Sequence, residues 1–154
     1  MAAAAANRYG QRQPGELLHM SGASGFHYYK DTLLCKDGTD SAVVKPLTAA
    51  GSSMGYFLGV ISNEVNLTAG LGSSQEILGV WTRGEFTFEA NGTGTSAHIG
   101  QRAYALDDQT VGVSMAVHSL WVGMITGIPS TSQYRVLIDP AVNGRGISFD
   151  PNNA

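Results

Sequence analysis

The feature that most limits how this chain can fold is a series of short apolar runs, interrupted about every ten residues by Gly, Ser, Thr, Asn or Asp. In the clearest run, Phe86 and Phe88 alternate with Glu85, Thr87 and Glu89. A period of two is typical of a half-buried strand. Beyond the N-terminus, no segment keeps a helical period. The spacing therefore predicts an all-β fold, a small barrel or sandwich.

Turn residues divide the predicted strands. Asp37-Gly38 is a favoured hairpin dipeptide, and Pro46 marks the end of a strand or the edge of a sheet. Asp107-Asp108 has the form of an acid/base pair or a cation site. In a turn, however, Asp caps its own backbone, so we interpret the pair as a turn from which residues 110–113 pair back.

Composition predicts one folded domain preceded by an arm. The chain has 154 residues, enough to bury a core, and only 14% of them are charged, which suits a turn-rich β protein better than a disordered one. The predicted divisions are an arm and linker at 1–25, a β-barrel domain at 26–140 and a tail at 141–154. Arg8, Tyr9 and Arg12 follow an alanine run in a segment with few large apolar residues, so we predict an extended arm that contacts a partner.

Several classes of partner are not expected. The net charge is −3, which gives no general basic surface for nucleic acid. No apolar stretch approaches the roughly 18 residues of a membrane span. Cys35 is the sole cysteine, so an intrachain disulfide is excluded. The alanine-rich start lacks the apolar core of a secretory signal, so we expect synthesis in a cytoplasm.

Candidate catalytic residues are few. Gly51-Ser52-Ser53-Met54-Gly55 matches the nucleophile-elbow pattern, but an apolar, strand-like run follows it where a helix is needed. The four histidines are widely separated, and there is no Cys-x-x-Cys. Cys35 fits a small core residue, and Trp81 and Trp121 fit packing better than sugar stacking. We therefore expect no catalytic residue, no metal and no cofactor, and thus no enzyme.

An ordered set of motifs between residues 79 and 139 resembles the head decoration (cement) proteins of tailed bacteriophages. The motifs are Leu78-Gly79-Val80, Gly84-Glu85-Phe86-Thr87-Phe88, Ile99-Gly100-Gln101-Arg102-Ala103-Tyr104, Asp107-Asp108-Gln109-Thr110-Val111, Val122-Gly123-Met124-Ile125 and Tyr134-Arg135-Val136-Leu137-Ile138. Gly84 would permit a bulge or close approach, and Gly123 would let another backbone pass nearby. The resemblance covers roughly residues 31–139 and leaves out the arm and the tail.

This resemblance implies a small β-barrel or β-tulip on the outer surface of an icosahedral head. Such a protein is a homotrimer that binds the major capsid protein between capsomers and stabilises the shell. The expected location is therefore the virion. Within the barrel, Phe86, Phe88, Tyr104 and Val136 are the predicted core residues.

Two alternatives remain at this point. A head-fibre base or host-binding virion protein would have the same composition. A trimeric all-β deoxyuridine triphosphatase has a similar length, but it needs a Gly-Tyr-Asp site and a Pro-Arg-Ser-Ser loop, and this sequence has neither. Only Asn143-Gly144-Arg145-Gly146 is faintly similar to its Gly-rich arm.

Overall fold

A computed structural model of the chain describes residues 17–37, 44–47, 54–69, 77–114 and 120–139. These residues form twelve strands and one 3-10 turn, Ser96–His98. The strands are β1 Leu17–Ser21, β2 His27–Tyr28, β3 Leu33–Asp37, β4 Val44–Pro46, β5 Met54–Ile61, β6 Val65–Asn66, β7 Ile77–Trp81, β8 Gly84–Ala90, β9 Arg102–Ala105, β10 Thr110–Gly112, β11 Leu120–Ser130 and β12 Gln133–Ile138. The all-β prediction is confirmed.

The second half of the chain closes into a five-stranded barrel in the order β10-β8-β12-β11-β9. The β8–β10 pair is parallel, and the other pairs are antiparallel. Closure pairs both sides of every barrel strand, so the barrel presents no open edge. The predicted barrel therefore exists, and it is built from residues 84–138.

The first half of the chain forms a separate antiparallel sheet in the order β1-β7-β5-β3-β4. The range 26–140 predicted for the barrel domain therefore holds the barrel and four of the five strands of this sheet. Leu17–Ser21, assigned to the arm and linker by the sequence, instead pair with all five residues of β7. Leu18 and Met20 pack against buried residues of the sheet, and this burial stabilises the strand.

The sheet is buried on both faces. Phe57 and Val60 of β5 belong to one cluster of buried residues, and Leu58 and Ile61 belong to another. The first cluster continues into the barrel, and the second lies under the two-stranded ribbon formed by β2 and β6. Burial on both faces explains why β5 is a continuous apolar run and does not alternate.

The predicted core residues are mostly buried. Phe88 and Val136 belong to the cluster shared by barrel and sheet, whereas Phe86 is partly buried and packs against that cluster. Along β8 the polar residues are exposed and the Phe residues point inward, as predicted. Tyr104 is buried, but strand alternation places it on the outer face of β9, opposite Ala103 and Ala105 of the inner cluster.

Gly123 has the predicted role of letting another backbone pass close by, whereas no bulge interrupts the strand at Gly84, which instead has a positive φ. A Cβ on Gly123 would collide with the carbonyl oxygen of Leu137, so β11 and β12 can approach only because Gly123 has no side chain. Gly84 has a φ of 147°, a conformation that side chains disfavour.

The predicted turn at Asp107-Asp108 is also present, whereas Gly38 of the predicted Asp37-Gly38 turn lies outside the described residues. Oδ1 of Asp107 accepts hydrogen bonds from the backbone N–H groups of Gln109 and Thr110, at 2.9 and 2.7 Å. This is the backbone-capping role expected of Asp in a turn. Pro46 lies in β4, which is an edge of the sheet, and β3 and β4 pair antiparallel across the segment that contains Gly38.

Candidate interaction surface

The sequence-predicted contact residues Arg8, Tyr9 and Arg12 lie outside the described residues. The tail at 141–154 does as well. Their role in binding a partner therefore stays a prediction.

The candidate catalytic residues occupy structural positions where they are described. Cys35 is buried, and its thiol faces the carbonyl oxygen of Lys45 at 3.7 Å. Ser52 and Ser53 lie outside the described residues, and the chain that follows them is strand β5. In the described parts of the chain, no three His, Cys, Asp or Glu side chains are grouped as a metal site would need.

The β9–β10 turn ties the barrel to the sheet. The backbone N–H of Leu33 donates to the carbonyl oxygen of Asp108 at 2.7 Å. Burial raises the pKa of the Asp108 carboxyl, and the neighbouring Asp107 raises it further. This backbone hydrogen bond adds to the apolar contacts of the cluster that sheet and barrel share.

One polar cluster lies on the outer face of the ribbon. The imidazole of His27 stacks on the ring of Tyr29, with centroids 3.9 Å apart. Its Nε2 is 2.8 Å from Oε1 of Glu64. Tyr29 is 52% exposed, so the stack presents one aromatic face to solvent.

The outer face of β11 carries a fixed aromatic–cation pair. The Trp121 indole N–H donates to the carbonyl oxygen of Gly123 at 3.0 Å, which holds the ring against its own strand. The Arg102 guanidinium lies over that ring, 4.4 Å from its centroid. Such stacking leaves the guanidinium donors pointing outward in the plane of the group.

A second guanidinium, that of Arg135, reaches β11 from the neighbouring strand β12. Arg135 of β12 is in register with Gly127 of β11, and a Cβ built on Gly127 would lie 3.5 Å from Nη1 of Arg135. The Arg135 side chain therefore leans over β11. Met124 and Leu137, which are in register with each other, are partly exposed between the two arginines. We call the set Arg102, Trp121, Met124, Arg135 and Leu137 the β11 face.

The neighbouring side of the barrel has the opposite charge. Glu85, Thr87 and Glu89 project from β8 and are exposed. Among the described residues, neither carboxylate has an ion-pair partner. Because Thr87 is in register with Arg135 and Glu85 with Leu137, the acidic strand β8 directly adjoins the β12 edge of the β11 face.

The sequence did not identify the β11 face. Trp121 was recognised only as a packing residue, and Arg102 only as part of a motif. Bringing them together requires the β9–β11 register, in which Arg102 pairs with Met124 and Trp121 pairs with Tyr104. A bulge between Trp121 and Gly123 sets that register, and no local sequence pattern predicts the bulge.

Comparison with protein-family models, with curated proteins and with solved structures finds no match to this chain. The described residues contain no helix with the length and hydropathy of a membrane span.

Proposed function

We propose that this chain is a structural protein of a tailed-phage virion, a decoration (cement) protein that binds the outer surface of the head between capsomers and stabilises the shell. Its partners would be the major capsid protein and two further copies of itself. It would act by binding, with no catalytic residue and no cofactor.

The observation that supports this proposal best is where the resembling motifs lie in the fold. The segments at 84–88, 99–104, 107–111, 122–125 and 134–138 supply all five strands of the closed barrel. Each motif is short and individually unspecific, but together they specify one structural unit. The remaining motif, Leu78-Gly79-Val80, lies in β7 of the neighbouring sheet, so five of the six motifs fall in the barrel.

The surface of the barrel also suits a protein that works by contact. Trp, Tyr, Met and Arg are enriched at protein interfaces, and Trp121, Met124 and Arg102 stand together on the β11 face. Barrel closure provides a rigid support, so little ordering of the surface is needed on binding.

The test is binding to heads. Heads of the phage that encodes this chain would be prepared without it and incubated with the purified full chain. We expect saturable binding at many repeated positions, density for the barrel between capsomers by electron microscopy, and heads that resist heating better. Absence of binding to intact heads would contradict the proposal.

The number of copies per virion distinguishes a decoration protein from the alternative function. A head-fibre base or host-binding protein would be present in a few copies at special sites of the virion, whereas a decoration protein covers the lattice. Quantifying this chain against the major capsid protein in purified virions would distinguish the two roles.

A further inference from the structure

We infer that the β11 face is a docking surface for an acidic protein segment, in which Arg102 and Arg135 each bind a carboxylate of the partner on either side of a half-exposed apolar strip. The inference names the chemistry of the partner surface, and it rests on the proposed function only for the source of that segment, the shell subunit.

The Arg102 guanidinium is held in place before any partner arrives, and the exposed Arg135 side chain leans toward it over β11. Arg102 is stacked on Trp121, whose ring is fixed by its bond to the Gly123 carbonyl. Arg135 lies over Gly127. Among the described residues, neither arginine has an ion-pair partner. Preorganised donors lose less side-chain entropy on binding, so they favour association.

The positions of Arg102 and Arg135 define how far apart the two carboxylates of the partner must be. In the strand pairing, Arg102 is opposite Met124 and Arg135 is opposite Gly127. Those β11 positions are three residues apart, about 10 Å along the strand at about 3.4 Å per residue. The two arginines stand on the strands that flank β11, about 10 Å apart across it, so their backbone positions are about 14 Å apart. A matching segment would carry two carboxylates at a similar separation. Met124 and Leu137 between them would contact the apolar part of that segment.

Charge favours a protein segment over nucleic acid. A single strand of nucleic acid could also use a tryptophan and two arginines. However, the exposed Glu85 and Glu89 stand on β8, the strand next to β12, where Glu85 is in register with Leu137 and Glu89 with Gln133. The chain as a whole has a net charge of −3. A continuous phosphate backbone would be repelled beyond the β11 face, whereas a short acidic segment would end within it.

The first experiment measures occupancy on undecorated heads for wild type, Arg102→Gln, Arg135→Gln and the double variant. We expect each single change to weaken binding about fivefold and the double change at least about twentyfold. Lys30→Gln is the matched control, since Lys30 is an exposed cation in the turn after β2 and its loss changes the net charge equally. Binding by the double variant equal to that of Lys30→Gln would overturn the inference.

Arg135→Gln keeps the test independent of folding. Arg135 is exposed and does not touch Trp121, so its replacement removes a charge without disturbing the stacked pair. A melting temperature equal to wild type, with weaker binding, supports the docking role. Unchanged binding by this folded variant would contradict a role for Arg135.

The second experiment does not use heads. Hexaglutamate, hexaglutamine and an oligothymidylate of about ten nucleotides are titrated into the labelled chain, and the Trp121 indole and arginine Nε–H signals are followed by NMR. Shifts with hexaglutamate alone support the inference. Larger shifts with oligothymidylate, or no shift with any probe, overturn it. If the wild-type chain does not bind heads, the proposed function is wrong. The titration then still tests whether the β11 face binds an acidic segment.

Discussion

The phenol of Tyr134 donates a hydrogen bond to Nδ1 of His98, with the two atoms 2.7 Å apart. The Thr95 N–H also points at Nδ1, from 3.4 Å, which assigns this nitrogen as the acceptor of both bonds. Tyr134 is fully buried in the barrel, and His98 ends the 3-10 turn between β8 and β9. The bond therefore fastens that connection to the barrel interior.

Removing this bond should loosen the connection without unfolding the barrel. We expect Tyr134→Phe to lower the free energy of unfolding by about 0.5–1.5 kcal/mol, the net value of one hydrogen bond. Urea unfolding of Tyr134→Phe, His98→Ala and the double variant would form a double-mutant cycle. Additive effects of the two changes would show that the side chains are not coupled.

Alkaline pH should destabilise the protein through its buried tyrosines. Burial raises the pKa of Tyr134, and burial is also the largest cause of the raised pKa of Tyr28. Unfolded tyrosine titrates near pH 10. Above that pH the unfolded chain releases protons that the folded chain retains, so the free energy of unfolding falls as pH rises. Urea midpoints at about pH 8 and about pH 11 would measure the loss, which should be smaller in Tyr134→Phe.

The two phenylalanines of β8 should differ in their contribution to stability. Phe88 is 3% exposed in the shared cluster, whereas Phe86 is only partly buried. We expect Phe88→Ala to cost about 3–5 kcal/mol and Phe86→Ala clearly less. Thr87→Ala, on the exposed face of the same strand, is the control. A larger loss from Phe86→Ala than from Phe88→Ala in chemical denaturation would contradict the inward facing of Phe88.

The features of this fold that could be predicted from the sequence are those that depend on residues close together in the chain. The alternation in β8 and the capping by Asp107 each act within a few residues, and both were predicted. Strand β1 was missed because its five residues form a strand only by pairing with β7, some sixty residues later in the chain. The stack of Arg102 on Trp121 likewise depends on the register of two strands, which the sequence does not display.

Gly123 should tolerate no side chain. A Cβ there would collide with the carbonyl oxygen of Leu137, which is backbone and cannot rotate away. We expect Gly123→Ala to cost about 1–3 kcal/mol or more, because β11 and β12 would have to separate. Gly92→Ala is an informative comparison, since Gly92 has a positive φ of 92° but open space around it. The stability lost in Gly92→Ala would therefore measure backbone strain alone. Equal stability of Gly123→Ala and wild type in thermal melts would show that the barrel can widen there.

The arm should matter for binding and not for folding. Strand β1 begins at Leu17, and the described sheet and barrel contacts are made from there onward. Deleting residues 1–13 should therefore leave the melting temperature unchanged. If Arg8, Tyr9 and Arg12 contact a neighbouring subunit, the same deletion should weaken occupancy of undecorated heads strongly. Arg8→Ala combined with Arg12→Ala should reproduce part of that loss, and more of it at low salt, where charge pairs are least screened. Equal occupancy by full-length and truncated chains at limiting concentration would show that the arm makes no such contact.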